Sequence, residues 1–419
     1  MAEALGGRAR RMWQDASVSA VVAGAIAVVV SFAGPLTIVV QAAHAGDLAE
    51  AQLSSWIWAI ALGSGVTGFV LSLRYRVPVV AAWSTPGAAL LVTQLADVPY
   101  ATAIGAYLAA AALTVLVGVT GWFDALMRRI PGAVVSAVLA GILLRFGLDA
   151  FRALESGPAV AGVMIAGYVV CQRVAPRYAI AAPLAAAVAV AGATGTLSLG
   201  DTRLSLAAPV FTVPAWPGEA LVSLTLPLFL VTMSAQNAPG VGALREAGYE
   251  VPSGQLVRDT GVASAVFAPF GAHAINLGAI TAAICAGPDA HEDRGRRYVA
   301  GLSCGVFYVV VGLFGATVAG LFAALPQDLI SAAAGVALLG ALGGSMSAAF
   351  TEADSRTPAI VAFLTTASGL TLWGLGAALW GLVFGVACQV VLTKPDRNGN
   401  SDMDSSSPDP SPDLKGRRQ

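Results

Sequence analysis

Charged residues are scarce in this sequence. Only 11% of its 419 residues are Asp, Glu, Lys or Arg, whereas an ordinary soluble domain carries about 25%. So little charge does not suffice for the surface of a soluble globular protein, and that class is excluded. The formal net charge of −1 indicates no basic surface, so nucleic-acid binding is not expected.

Cysteines and clusters of reactive side chains are also few. The four cysteines, Cys171, Cys285, Cys304 and Cys388, lie in or beside apolar segments without CxxC spacing. We interpret them as small buried side chains rather than disulfides or metal ligands. No paired carboxylates, activated nucleophile or metal-ligand cluster falls within an apolar segment, so a membrane enzyme is a weak alternative and no cofactor is predicted.

Long apolar runs occupy most of the chain, and 57% of its residues are hydrophobic. A helix that crosses a bilayer needs about 20 apolar residues, and only helices or closed barrels satisfy their backbone groups there. Runs rich in Ala, Leu, Val and Gly without alternation favour helices, so we predict an all-α polytopic membrane protein with fourteen spans. The predicted spans are 18–43, 54–73, 79–95, 101–120, 131–150, 159–172, 179–197, 218–240, 255–268, 270–287, 298–322, 327–348, 358–372 and 374–392.

Basic residues are distributed unevenly between the two sides of this arrangement. With both termini in the cytoplasm, all but three of the 23 Lys and Arg residues fall on the cytoplasmic side, the exceptions being Arg145, Arg152 and Arg203. This bias is the positive-inside rule. It predicts a cytoplasmic N-terminal segment at 1–17, an external connecting loop at 198–217 and a cytoplasmic tail at 393–419. The tail is rich in Ser, Pro, Asp and basic residues, too polar to form a core, and is predicted to be disordered.

The two halves of the chain, 18–197 and 218–392, share an ordered series of short matches. At an offset of about 200 residues, TPGA at 85–88 corresponds to NLGA at 276–279, and IP at 130–131 corresponds to LP at 325–326. Each half holds seven predicted spans, an odd number, so the second half enters the membrane from the opposite face. The sequence therefore predicts two inverted seven-helix repeats.

Two spans are predicted to be half extended and half helical. In the third span, Pro78 to Trp83 has an extended pattern, after which Ser84 is a helix cap and Pro86 suits the first turn. In the tenth span, Asn276 is predicted to cap a helix that continues through Ile284. Both helices would then begin near the bilayer midplane, where two helix N-termini favour a small anion such as a carboxylate.

Further candidates lie around these helix starts. Gln236 and Asn237 stand beside the helix-breaking Pro239 in the eighth span, either to bind substrate or to bond backbone groups that proline leaves unpaired. Trp83 and Phe32 offer a flat wall to an aromatic ring, although core packing is the commoner role. His273 is the candidate proton site, with helix packing as its alternative. The predicted substrate-binding residues are Gly34, Ser84, Thr85, Gly87, Gln236, Asn237, Asn276 and Gly278.

Several long strings resemble the benzoate:proton symporter family, BenE. They are RYRVP with AWSTPGAALLVT, PGAVVSAVLAGILLRFGL, LPLFLVTMSAQNAPG, NLGAITAAICAGPDAH and FLTTASGLTLWGLG. The family is similar in architecture to the uracil permease and sulfate transporter group, which implies a core domain, a gate domain and a site formed by the first, third, eighth and tenth spans. Nucleobase permeases of this fold have an acidic residue in the eighth span. Gln236 and Asn237 occupy that region here, which fits an anionic carboxylate better than a neutral base.

The resemblance implies proton-coupled uptake of benzoate or a similar aromatic carboxylate across the cytoplasmic (inner) membrane. The expected partners are the carboxylate, a proton and the lipid bilayer, and a homodimer is expected by fold analogy alone. A nucleobase or inorganic-anion carrier of the same fold is the alternative. A passive channel is less favoured, because inverted repeats with paired broken helices suit alternating access.

Overall fold

Helices dominate the structure. The computed structural model describes residues 14–33, 35–123, 125, 131–197, 204–216, 218–288, 290–373 and 377–392. The helices of the first half are α1 (Val18–Ala33), α2 (Pro35–Ala45), α3 (Glu50–Tyr75), α4 (Thr85–Gln94), α5 (Tyr100–Thr120), α6 (Gly132–Ser156), α7 (Pro158–Val174) and α8 (Ala181–Ala193). Those of the second half are α9 (Gly218–Thr232), α10 (Ala238–Glu246), α11 (Ser253–Phe267), α12 (Ala279–Ala286), α13 (Tyr298–Leu313), α14 (Gly315–Ala323), α15 (Gln327–Phe350), α16 (Arg356–Ala367) and α17 (Ala377–Leu392).

Many of these helices suit a bilayer. Seven helical stretches of the described chain are long and apolar enough to cross a membrane: Val18–Ala45, Glu50–Tyr75, Tyr100–Thr120, Gly132–Ser156, Leu221–Glu246, Arg294–Leu313 and Gln327–Phe350. Each of the other seven predicted spans contains a shorter helix. The chain is therefore a mostly helical, multi-pass membrane protein, while the count of fourteen crossings and the inverted repeat stay predictions.

Two short strands interrupt the helical pattern at the positions predicted to be extended. Strand β1 (Ala81–Trp83) precedes α4, and β2 (Ile275–Leu277) precedes α12. The strands pair antiparallel, with Ala82 opposite Asn276. Backbone groups away from water must find partners within the protein, and the two halves of the chain supply them to each other. This ribbon holds the third and tenth spans together.

The helices pack in two groups. The first contains α1 to α5 and α9 to α14, and the second contains α6 to α8 and α15 to α17, with most contacts made inside each group. Small residues allow close approach within them. A Cβ added to Gly65 on α3 would lie 2.6 Å from the carbonyl oxygen of Gly305 on α13, and one added to Gly305 would lie 2.7 Å from that of Gly65.

The connection between the two halves is an extended segment bonded to the first group. In its described part, 204–216, Ala207 N donates to Leu313 O (2.9 Å), Thr212 N to Pro269 O (2.8 Å) and Ala215 N to Ala101 O (2.9 Å). Val210 N donates to Ser55 Oγ (2.8 Å). The segment therefore joins the ends of α3, α5 and α13 to the turn before β2.

An exposed ion pair is present on α6. Arg145 Nε lies 3.9 Å from Asp149 Oδ2, and Arg152 also pairs with Asp149 at 3.3 Å. Both arginine side chains are 70% exposed. Exposed pairs of this kind contribute little to stability.

Candidate functional site

The start of α4 is fixed by its own residues. Ser84 Oγ accepts a hydrogen bond from Gly87 N at 3.0 Å, and Pro86 lies in the first turn. Serine caps a helix in this way because its oxygen satisfies an amide that has no intrahelical partner. The predicted helix start is confirmed. Ser84 is completely buried. Its side chain therefore stabilises the start of the helix and is not exposed on a surface.

The start of α12 differs from the prediction. Asn276 does not cap this helix, because pairing with Ala82 holds it in β2. Gly278 is the N-cap residue instead, in extended conformation and without a side-chain cap. Its own amide donates to Val80 O at 2.9 Å. The first-turn amides of α12 therefore begin without the side-chain acceptor that α4 has.

Asn237 connects the eighth span to β2. Its Oδ1 accepts from Leu277 N at 3.1 Å, and its Nδ2 donates to Asn276 Oδ1 at 3.5 Å. A π-helical turn, Met233–Asn237, separates α9 from α10, and Pro239 lies in the first turn of α10. Proline offers no amide to the helix ladder, and π-turns are frequent at functional sites. Asn237 thus bonds the backbone of the tenth span, not that beside Pro239.

Removing this side chain is expected to destabilise the protein. Asn237→Ala leaves the buried Leu277 N–H without its acceptor, which costs ~1–3 kcal/mol of unfolding free energy. Thermal unfolding of the purified protein in detergent measures the effect. Gln255→Ala is the matched control, since this amide accepts from Tyr75 Oη at an exposed position. Equal stability of the two variants would contradict the assigned role of Asn237.

A cavity of about 860 Å³ lies between the two groups of helices. Both helix starts contribute to its wall, through Thr85 and Pro86 of α4 and through Gly278 to Thr281 at the start of α12. The second group faces them across the cavity. Its contribution includes Val135, Ser136, Leu139, Tyr168, Gln172, Ile180, Leu338 and Ser345.

Three of the predicted binding residues, Thr85, Gln236 and Gly278, lie in this wall. The others in the described chain are buried and do not line it: Ser84, Gly87, Asn237, Asn276 and the proton-site candidate His273. A Cβ on Gly87 would lie 2.9 Å from Leu228 Cδ1 of α9, so this glycine permits helix packing. Gly34 lies outside the described residues.

The cavity wall is uncharged. None of the described residues that line it is Asp, Glu, His, Lys or Arg. Three buried polar atoms nearby have no hydrogen-bond partner within the described chain, namely Trp83 Nε1, Asn276 Nδ2 and Thr281 Oγ1. Each of them is a hydrogen-bond donor, and Trp83 and Thr281 belong to the wall. The site therefore offers donors and helix N-termini, without a fixed charge.

Thr281 and the indole N–H of Trp83 were missed by the sequence prediction as donors. Thr281 stands in the first turn of α12, and its Oγ1 contacts the position that a Cβ of Gly278 would occupy. Trp83 is 2% exposed and packs edge-on against Phe32 with ring centroids 4.8 Å apart. Core packing, the commoner of the two roles considered for Trp83 and Phe32, is thus present between them, and the indole N–H of Trp83 has no partner within the described chain.

His273 is held by two hydrogen bonds. Trp56 Nε1 donates to His273 Nδ1 at 3.1 Å, and His273 Nε2 lies 2.8 Å from Ser84 O. A carbonyl oxygen only accepts, so Nε2 carries a hydrogen, whereas Nδ1 accepts from the indole N–H and carries none. With these two bonds the ring is neutral. The ring is 1% exposed. These bonds do not test the predicted role as proton carrier, and they suit the alternative, a structural role.

Comparison with known proteins identifies the family to which the chain belongs. The family model of BenE, described as benzoate membrane transport protein, matches residues 14–391. The chain belongs to the BenE family. It is 45% identical over 377 residues to inner membrane protein YdcO of Escherichia coli (strain K12), covering 90% of this chain and 96% of that one. It is 40% identical over 382 residues to the benzoate membrane transport protein of Acinetobacter baylyi, covering 91% and 97% respectively.

Solved structures support the fold of this BenE-family chain. The transmembrane domain of the cyanobacterial bicarbonate transporter BicA matches with a TM-score of 0.55 at 13% identity, covering 88% of this chain and 97% of that one. The murine anion transporter Slc26a9 in its inward-facing state matches with a TM-score of 0.59 at 14% identity, covering 90% and 68%. These structures show that the chain has the fold of this transporter group. The family match and the relatives make it a membrane transport protein rather than an enzyme.

Proposed function

We propose that this BenE-family protein takes up benzoate or a similar aromatic carboxylate together with a proton. The observation that carries the proposal is an uncharged cavity with two helix starts in its wall. A helix N-terminus bears roughly half a positive charge and unpaired amides, which suits an anion. The relative from Acinetobacter baylyi, named as a benzoate transport protein, supports the choice of substrate.

The carboxylate is assigned to the start of α12. The first-turn amides there have no side-chain cap, and the hydroxyl of Thr281 has no partner among the described residues. Hydrogen bonds to a charged group are the stronger kind. Thr85 at the start of α4 and the amide of Gln236 add further polar groups to the wall. Ser84, Gly87, Asn237 and Asn276 stay in the proposal as residues that shape the site, and Gly34, which lies outside the described residues, stays a candidate binding residue from the sequence.

The aromatic ring is assigned to the apolar side of the cavity. Val135, Leu139 and Ile180 of the second group line it opposite the helix starts. Removal of a benzene ring from water into such surroundings is favourable in proportion to its buried area. An inorganic anion gains nothing from these side chains, so they favour an aromatic carboxylate over a small inorganic ion.

Transport is proposed to proceed by alternating access. The first helix group corresponds to the core domain that the family resemblance implies, and the second to the gate domain. A cavity between two groups that mainly contact themselves suits rigid movement of one against the other. In this proposal the fourteen spans form two inverted repeats, both termini are cytoplasmic, the protein resides in the inner membrane, and it forms a homodimer.

Uptake into proteoliposomes tests the function. We expect labelled benzoate to accumulate when an inward proton gradient is imposed and to equilibrate without accumulation when the gradient is collapsed. Absent uptake would refute the benzoate assignment, and accumulation that ignores the gradient would refute the coupling. Competition by unlabelled uracil, bicarbonate or sulfate distinguishes the alternative, a nucleobase or inorganic-anion carrier. That alternative is kept because the fold neighbours include bicarbonate and anion transporters.

A further inference from the structure

The surroundings of His273 form a continuous hydrogen-bonded chain that reaches the start of α4. Trp56 on α3 is fully buried and donates to Nδ1 of the imidazole. The opposite nitrogen, Nε2, donates to the carbonyl oxygen of Ser84. Ser84 is the last residue before α4, so the chain ends at the junction between β1 and that helix.

The Ser84 junction is bonded from three directions. Its hydroxyl accepts from Gly87 N, and its carbonyl oxygen accepts both Ala88 N at 2.8 Å and the imidazole at 2.8 Å. A carbonyl oxygen has two lone pairs, so both acceptor sites are used. Of the hydrogen bonds that Ser84 makes within the described chain, only the imidazole bond comes from outside the third span. It adds to the neighbouring strand pairing a side-chain link between the helix start and the tenth span.

The segment that carries His273 is itself fixed by α3. Ser55 Oγ donates to Phe270 O at 2.9 Å. Ser55 immediately precedes Trp56, whose indole holds the imidazole. Gly271, which lies between Phe270 and His273 in the sequence, has φ of +111°, and a Cβ there would lie 2.9 Å from Trp56 Cα. Only glycine adopts this close turn without strain. Two adjacent side chains of α3, Ser55 and Trp56, therefore hold the segment that contains Phe270 and His273 through hydrogen bonds.

We propose that His273 is a positioning residue, a neutral imidazole that fixes the start of α4 against the tenth span. The proposal rests on the proposed function where it concerns substrate affinity. The groups that face the ring are the indole of Trp56, the Ser84 carbonyl and the ring of Tyr107, whose centroid is 6.4 Å away. None of them carries a charge. An imidazolium would have no counter-charge here, and its Nδ1–H would point at the indole N–H.

Two substitutions at this position separate positioning from proton transfer. His273→Gln keeps one donor and one acceptor but cannot titrate, and we expect it to preserve proton-driven benzoate accumulation and its pH profile. His273→Leu removes both bonds, and we expect it to raise KM about tenfold with a smaller change in maximal rate. A glutamine variant that still exchanges benzoate but no longer accumulates it would overturn the proposal, as would a leucine variant with wild-type KM.

Hydrogen–deuterium exchange in detergent provides a readout that needs no substrate. We expect peptides covering 84–94 to exchange about tenfold faster in His273→Leu than in wild type and at the wild-type rate in His273→Gln. Trp56→Phe, which removes only the indole donor, is the second variant, and we expect a smaller acceleration in the same peptides. Unchanged exchange in both His273→Leu and Trp56→Phe would refute the positioning role. If the wild-type protein takes up no benzoate, the proposed function fails. The hydrogen–deuterium exchange of the variants still tests the positioning role of His273 in that case.

Discussion

Gly278→Ala is expected to reduce uptake of labelled benzoate to about a tenth of the wild-type rate or less. Gly278 has φ of −83° and ψ of 125°, a conformation that any residue adopts, so the backbone itself does not require glycine. Space does. The added methyl group would overlap the hydroxyl oxygen of Thr281 and would lie 3.4 Å from Ala82 Cβ. Thr281 must then turn away, and the proposed carboxylate site loses a donor.

Gly344→Ala provides the matched control for this substitution. Gly344 also lines the cavity, but it lies on α15, and a Cβ there meets no atom within 4 Å. The same methyl group is thus added to the same cavity without disturbing a helix start. We expect near-normal initial rates of uptake for this control in proteoliposomes. Equal rates for both variants would show that the start of α12 is not the carboxylate site.

Local signals in the sequence predicted one half of the broken-helix pair well. Ser84 and Pro86 stand in the order that a helix start requires, and the cap bond depends only on residues three apart. The tenth span has a similar candidate in Asn276, but that prediction was wrong. Its conformation is set by pairing with Ala82, almost two hundred residues away in the chain, and no local pattern contains this partner. Long-range pairing therefore overrode a valid local preference.

The polar atoms of the site were harder to predict than its helices. Whether the hydroxyl of Thr281 or the indole N–H of Trp83 has a partner depends on which side chains the fold brings near, so residue type alone does not indicate it. Asn237 illustrates the reverse case. Its position beside Gln236 suggested two equivalent amides, yet the π-helical turn directs Asn237 to Leu277 N, while Gln236 lines the cavity. Neighbours in sequence thus have different surroundings.

The uncharged wall gives the anion proposal a sharp electrostatic consequence. Gln236→Glu changes the side chain little in shape but adds a negative charge to a cavity that has no counter-charge among its described lining residues. At about 8 Å from a bound carboxylate and an effective dielectric constant of ~20, the repulsion is ~2 kcal/mol, which corresponds to about thirtyfold weaker binding. We expect this loss in equilibrium binding of labelled benzoate at neutral pH, with partial recovery as the pH falls and the glutamate is protonated.

Two comparison variants isolate charge as the cause of this effect. Gln236→Leu removes the amide without adding charge, so we expect it to weaken binding less than the glutamate does. Gln327→Glu places the same charge on the exposed first turn of α15, outside the cavity wall, and we expect wild-type affinity. A neutral nucleobase as substrate would be insensitive to the added charge. Wild-type benzoate affinity in Gln236→Glu would therefore remove Gln236 from the surroundings of the bound anion.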